Sequence, residues 1–334
     1  MSIIHEPPYR KLLEDLSKER KIIYLTYGGS HAYGTNVEES DIDIRGIALK
    51  TKRELLGSQG FEQFINQEAD MTIYAVDKFI QLASNMNPNI IEFFGTKQEH
   101  RFLVADEAKM ILDNQDIFIS QKAINSFGGY AGSQLRRMEN SLSTNTLQSD
   151  KEKHILQTLN NMEKHLQTHY TSYDKANFKL HQHDSKREGF NTEIFVDIDL
   201  KDYPLRDFYS IQSEMTSAIS AYDKLNHRNS KKSEKKLDKH VMHLIRLYLM
   251  LFDILEKGQI ITYRVNEIEL LMDVRNGGYS KNNYEKLYDL LDVYEKRLEY
   301  AKLHTNIPEK PDYKKIDELL ITINEISLKY RQKF

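Results

Sequence analysis

Apolar positions follow two rhythms along the chain. Among the charges of residues 9–21, Leu12, Leu13 and Leu16 recur at helical spacing, which predicts a surface helix. Ile22–Tyr27 (IIYLTY) is a short β-branched and aromatic run and predicts a strand. A glycine turn follows, then a second strand predicted over Ser40–Leu49 and a third over Asp70–Val76. Val76, Phe79, Ile80, Ala83 and Met86 mark one helical face, which the Asn87-Pro88-Asn89 triplet ends. From about Asp116 the period is mostly helical. It breaks where NFKLHQH and TEIFVDIDL flank DSKREGFN, which predicts a β-hairpin near 176–200. The chain therefore reads as α+β: a mixed sheet with helices over residues 1–115, then a mainly helical domain with a β-hairpin over 116–334. A cleft is expected where the two meet.

Length and composition narrow the classes. At 334 residues, 40% hydrophobic and 29% charged, the chain can bury a sizeable core and is not a disordered one. Its formal net charge of -3 does not describe a polycation made for nucleic acid, although a local patch can be one. The absence of cysteine excludes disulfide-linked partners, thiolate metal sites and cysteine nucleophiles. The N-terminus lacks the apolar stretch of a signal peptide, and no window is long enough to span a bilayer. A cytoplasmic protein with no membrane partner is expected.

One stretch carries chemistry: GGSHAYGTNVEESDIDIRG, from Gly28 to Gly46. Strand side chains alternate faces, so Asp41, Asp43 and Arg45 share one face while Ile42 and Ile44 point to the other. Two carboxylates that close repel each other unless something positive lies between them. A divalent cation with hard oxygen ligands, Mg²⁺ or Mn²⁺, is the usual answer. Upstream, Gly28 and Gly29 let the backbone approach a ligand closely, and Ser30 offers a hydroxyl at a helix start. Free N–H groups there make a phosphate cradle. Either half alone is weak, since a Gly-Gly-Ser turn is often only a turn and Asp-x-Asp can be a solvated edge strand. Together they point to a nucleoside triphosphate gripped by its phosphates and by metal.

The same stretch resembles the signature of the polymerase-β-like nucleotidyltransferases, in which Gly-Ser is followed by Asp-x-Asp on the next strand. More closely, it resembles the RNA-ligase-associated and YcgL-like predicted nucleotidyltransferases of bacteria and phages. DMTIYAVDKFIQLASNMNPNIIEFF, SFGGYAGSQLRRM, EIFVDIDLKDYPLR and KHVMHLIRLYLMLFDILEKGQI extend the resemblance along much of the chain. It implies a polymerase-β-like catalytic domain with three carboxylates around two metal ions. Asp41 and Asp43 would be the paired ligands, and Gly29 and Ser30 would hold the β- and γ-phosphates. Asp70, opening the third strand, is the expected third carboxylate, with Glu68 as the fallback. Arg45 would pair with a phosphate or with one of the aspartates.

Further along, Lys239, His243 and Arg246 fall at i, i+4 and i+7 on one helical face, a basic stripe suited to triphosphate or to a solvated surface. Tyr130, Gln134 and Arg137 share another face and could touch a base, its sugar or a neighbouring domain. The KLNHRNSKKSEKKLDK run, Lys224 to Lys239, is the best sequence candidate for an RNA-facing patch, but a solvated loop reads as well. The resemblance implies transfer of a nucleoside monophosphate to a hydroxyl, with an RNA or tRNA end as acceptor. A protein hydroxyl or a small molecule would serve the same chemistry. A nucleotide-binding sensor without turnover is the reading from another class.

Overall fold

The computed structural model describes residues 3–58, 60–131, 176–184, 186, 192–206, 208, 209, 212, 215, 216, 234–279 and 285–329. The chain forms two compact units, Met1–Gln134 together with Asp238–Phe334, and Leu135–Leu237.

The first unit is built on a mixed five-stranded sheet. Its strands are β1 (Ile22–Tyr27), β2 (Ile44–Ala48), β3 (Gln63–Asn66), β4 (Met71–Ala75) and β5 (Arg101–Val104), in the order β3-β4-β2-β1-β5. Only β2 and β4 run parallel, starting in step with Ile44 opposite Met71. β1 pairs antiparallel with β2, Tyr27 lying opposite Ile44. One edge of the sheet therefore gathers the end of β1 and the starts of β2 and β4.

Both faces of the central strands are covered, which is why β1 reads as a continuous apolar run rather than an alternating one. On one face α1 (Tyr9–Glu19) lays Leu12, Leu13 and Leu16 over Ile22, Leu25, Ile44, Met71 and Ile73. On the other, the buried Phe79 of α4 (Val76–Ser84) meets Phe93 edge-on, and Phe93 also lies 6.0 Å from the Tyr24 ring. α4 ends at Ser84 with Asn85 at its C-cap, ahead of the Asn87-Pro88-Asn89 triplet, and Asn87 caps the next short helix, Pro88–Ile91, accepting from the Asn89 N–H with proline at the first turn.

The second strand is shorter than its sequence suggests. It begins at Ile44, not Ser40, because residues 37–40 close a turn: Ser40 N–H donates to the Val37 carbonyl and Val37 N–H to Ser40 Oγ. Asp41 and Asp43 thus lie on the approach to the strand rather than within it. The helices Glu234–Phe252, Ile268–Arg275, Glu285–His304 and Tyr313–Lys329 follow; from Asp238 on they belong to the same unit as the sheet.

In the second unit the described residues include a two-stranded antiparallel hairpin, Ala176–Asp184 against Thr192–Leu200. It matches the hairpin expected near 176–200. His181 stacks on Phe195, its cross-strand partner, at 6.0 Å and 19°.

Candidate active site

Strand register assembles the site. Because β2 and β4 start in step, the residues just before them, Asp43 and Asp70, are neighbours. Ile44 N–H donates to the Asp70 carbonyl at 3.0 Å, and Gly28 N–H to the Asp43 carbonyl at 2.8 Å, so the glycine turn is tied to the same sheet end. Gly28 caps the short helix Gly29–Tyr33, which puts Ser30 in its first turn. Gly29 has φ +55°, and a Cβ there would fall 1.9 Å from Asp43 Oδ2. The turn needs glycine because the Asp43 carboxylate lies against it.

Gly29→Ala tests that contact. The left-handed backbone alone costs about 1–2 kcal/mol for an L side chain, measurable by urea unfolding. The colliding atom is the tip of a side chain, so the fold can yield by turning Asp43 aside. Any activity that depends on that carboxylate is expected to fall by about 10²-fold, well beyond the stability loss.

These residues open onto a cleft of about 290 Å³. Its acidic wall is Glu39, Asp41, Asp43 and Asp70, its phosphate-binding candidates are Gly29 and Ser30, and Lys239, His243 and Arg275 enter from the C-terminal helices. Asp41 is exposed to solvent there. Asp43 is mostly buried, with 17% of its side chain accessible. Burial, with the neighbouring Asp70 carboxylate adding to it and Arg45 opposing both, raises Asp43 to about 6. Buried among Arg246 and Lys239, His243 is pushed down to about 3. It is neutral at physiological pH and offers hydrogen bonds rather than charge.

Arg45 takes the second of its expected roles and pairs with aspartates. Its Nη2 donates to Asp43 Oδ1 at 2.9 Å and to Asp70 Oδ1 at 3.1 Å. Arg246 lies deeper than Lys239 and His243 and, unlike them, does not line the cleft. Along their shared face Lys239 is exposed, His243 half-buried and Arg246 buried, because the helix runs from the cleft mouth into the core. Arg246 stacks 3.7 Å over the Tyr33 ring and donates to Glu92 Oε2 at 3.3 Å, while Tyr33 Oη donates to the same oxygen at 2.7 Å. Arg246 therefore supports the wall of the cleft from behind.

His31, next to Ser30, stacks on Tyr27 at 5.3 Å, and Oη of Tyr130, singled out above, accepts from Asn87 Nδ2 at 3.3 Å. Gln134, Arg137 and the Lys224–Ser233 portion of the basic run lie outside the described residues. Glu39, Ser40 and Arg275 were not anticipated. Arg275 reaches back more than two hundred positions to bond the Thr35 carbonyl and, at 3.1 Å, Ser40 Oγ. It thereby fastens the loop that leads into Asp41. No local spacing announces such a contact.

One end of the mixed sheet thus carries a glycine turn, a short helix and paired aspartates, within an α+β unit. Residues 5–159 match the RlaP family model, the RNA repair pathway DNA polymerase beta family, a match consistent with a polymerase-β-like nucleotidyltransferase domain. The match stops short of the helices that bring Lys239 and Arg275 to the cleft. No curated protein and no solved structure matched the chain.

Proposed function

We propose that this chain moves a nucleoside monophosphate from a nucleoside triphosphate to a hydroxyl at an RNA end, releasing pyrophosphate, with Mg²⁺ or Mn²⁺ as cofactor. The RNA acceptor, a tRNA end among the candidates, rests on the RNA repair family. The observation that carries the reading is the convergence in one cleft of Gly29 and Ser30 with Asp41, Asp43, Lys239 and Arg275.

Charge supports the metal requirement. Four carboxylates line the cleft against the lining cations Lys239 and Arg275 and the Arg45 guanidinium paired to Asp43 and Asp70, with His243 neutral, so negative charge remains in excess. A triphosphate added to that excess of negative charge would be repelled without further cations. Asp41 and Asp43 fit one ion: they are hard oxygen donors, and Mg²⁺ usually takes one or two protein carboxylates and fills its remaining positions with water and phosphate. Two bound ions would polarise the α-phosphate and the attacking hydroxyl. Asp70 is the third donor expected, but Arg45 engages it. Among the described residues no group of three carboxylates or histidines is arranged to hold a metal. Ser30 and the N–H groups of the turn would orient the phosphates, and Lys239 and Arg275 would offset their charge.

The test is a transfer assay with each α-phosphate-labelled nucleoside triphosphate, Mg²⁺ or Mn²⁺, and RNA. Label should pass to RNA and fail to do so with Asp41→Ala, Asp43→Ala. Label on the protein itself would indicate a protein hydroxyl, and label in a small soluble product a small-molecule acceptor. Nucleotide binding without transfer would indicate a sensor, and no binding would end the proposal.

A further inference from the structure

Arg45 is held in place more tightly than a surface arginine needs to be. Besides its two Nη2 contacts, Nη1 donates to the Asp70 carbonyl at 2.8 Å, to Asp70 Oδ1 at 3.2 Å and to the Ile44 carbonyl at 3.1 Å. Its side chain lies across the glycine turn, so that a Cβ on Gly28 would fall 2.6 Å from Arg45 Cγ. Asp70 meets this guanidinium from a left-handed backbone, φ +40°, which turns both its carbonyl and its carboxylate toward Arg45. The two aspartates are unequal. Asp43 gives Oδ1 to Arg45 and keeps Oδ2 beside Gly29 at the cleft. The Asp70 carboxylate is engaged through Oδ1 by both guanidinium nitrogens.

We propose that Arg45 is a built-in counter-cation that competes with a divalent ion for the Asp43–Asp70 pair, so that Asp70 joins the metal-binding set only when the guanidinium lets it go. The inference rests on the nucleotidyltransferase reading above and concerns how that site is regulated. A divalent ion shared by Asp43 and Asp70 would draw on two carboxylates that Arg45 already bridges through Oδ1 of each, and whose charge it already offsets. It would also place two cations within a few ångströms of each other. The arginine thus satisfies the paired acids before substrate arrives and disfavours filling of the second ion position. A triphosphate, which brings negative charge and its own metal, shifts the balance toward release.

The opposite role has the opposite sign. If Arg45 only orients Asp43, its loss should weaken metal binding, as loss of an outer-shell partner does, by about 10–100-fold. Mn²⁺ binding without nucleotide, followed by electron paramagnetic resonance and calorimetry, separates the two. Arg45→Gln is expected to bind Mn²⁺ about tenfold more tightly than the native chain, and Asp70→Asn in that background should remove the gain. Arg45→Lys, a point charge that cannot fork across two carboxylates, should show a smaller gain. It decides the matter if thermal melting shows that the glutamine variant does not fold. Equal or weaker binding by the Arg45 variants, with native binding still dependent on Asp43, overturns the competition and leaves the proposed function standing. If neither native nor variant chain binds Mn²⁺ without nucleotide, the competition is overturned, and the proposed function is decided separately by the transfer assay.

Discussion

Asp43→Asn is expected to lower nucleotidyl transfer by about 10³-fold or more and, at neutral pH, to make the folded chain more stable than the native one. The activity loss follows from position. Asp43 keeps one carboxylate oxygen beside the glycine turn, and asparagine removes the charge while nearly preserving the shape. The stability gain follows from the raised value of about 6. In the unfolded chain an aspartate ionises near 4. The folded state therefore holds the proton more tightly, and that contribution is fully present below about 4 and is lost as pH rises through 6. Above that point the ionised side chain opposes folding, and the neutral amide does not. The difference between variant and native chain should grow between about pH 4 and 6 and then level off, at roughly 1–3 kcal/mol. Urea unfolding of both proteins across this range, in the presence of a chelator, measures it. A difference that does not change with pH would mean that Asp43 is not strained by its surroundings. Added Mn²⁺ should restore the native chain's stability selectively, because the amide is a poor ligand.

This opposition between stability and activity explains why part of the site could be read from sequence. An ionised carboxylate beside a positive-φ glycine and a second acid is a poor choice for folding, so Gly29, Asp41 and Asp43 stand out against the apolar strands that frame them. The strand nearest the motif, Ile22–Tyr27, was legible because five β-branched or aromatic residues and one leucine admit little else. Its neighbour was harder to delimit. Ser40 to Asp43 look like strand by alternation, but a turn ties the Ser40 N–H to the Val37 carbonyl and Arg275 holds the Ser40 hydroxyl. Partners distant in sequence were not legible at all. Arg275 bonds Thr35 and Ser40, and Glu92 meets Tyr33 and Arg246, through contacts that only the folded chain brings together. The stripe of Lys239, His243 and Arg246 shows the same limit. Helical spacing correctly put the three on one face, yet spacing does not say how deep each position lies.

That depth gives Arg246 the largest expected effect on stability. Arg246→Met should destabilise the chain by about 3–5 kcal/mol, although methionine is apolar and comparable in length. Arg246 is 4% exposed and Glu92 7%, so the change leaves a carboxylate in the interior that keeps, among the described residues, the Tyr33 hydroxyl as its side-chain hydrogen-bond donor. Burial already raises Glu92 above its usual range, with Arg246 as the main opposing influence. Without the guanidinium Glu92 should rise further and take a proton as pH falls. The penalty should therefore be greatest at high pH and shrink toward acid, which unfolding at two pH values would reveal. Glu92→Gln combined with Arg246→Met removes the uncompensated charge and should recover part of the loss. A purely additive pair would show instead that the two side chains do not act together. Transfer activity gives a second readout. Tyr33 closes the short helix that begins at Gly29, and Arg246 stacks on its ring three residues beyond His243. A loosened Tyr33 should disturb phosphate binding at the other end of that helix, raising KM for the nucleotide more than it lowers kcat.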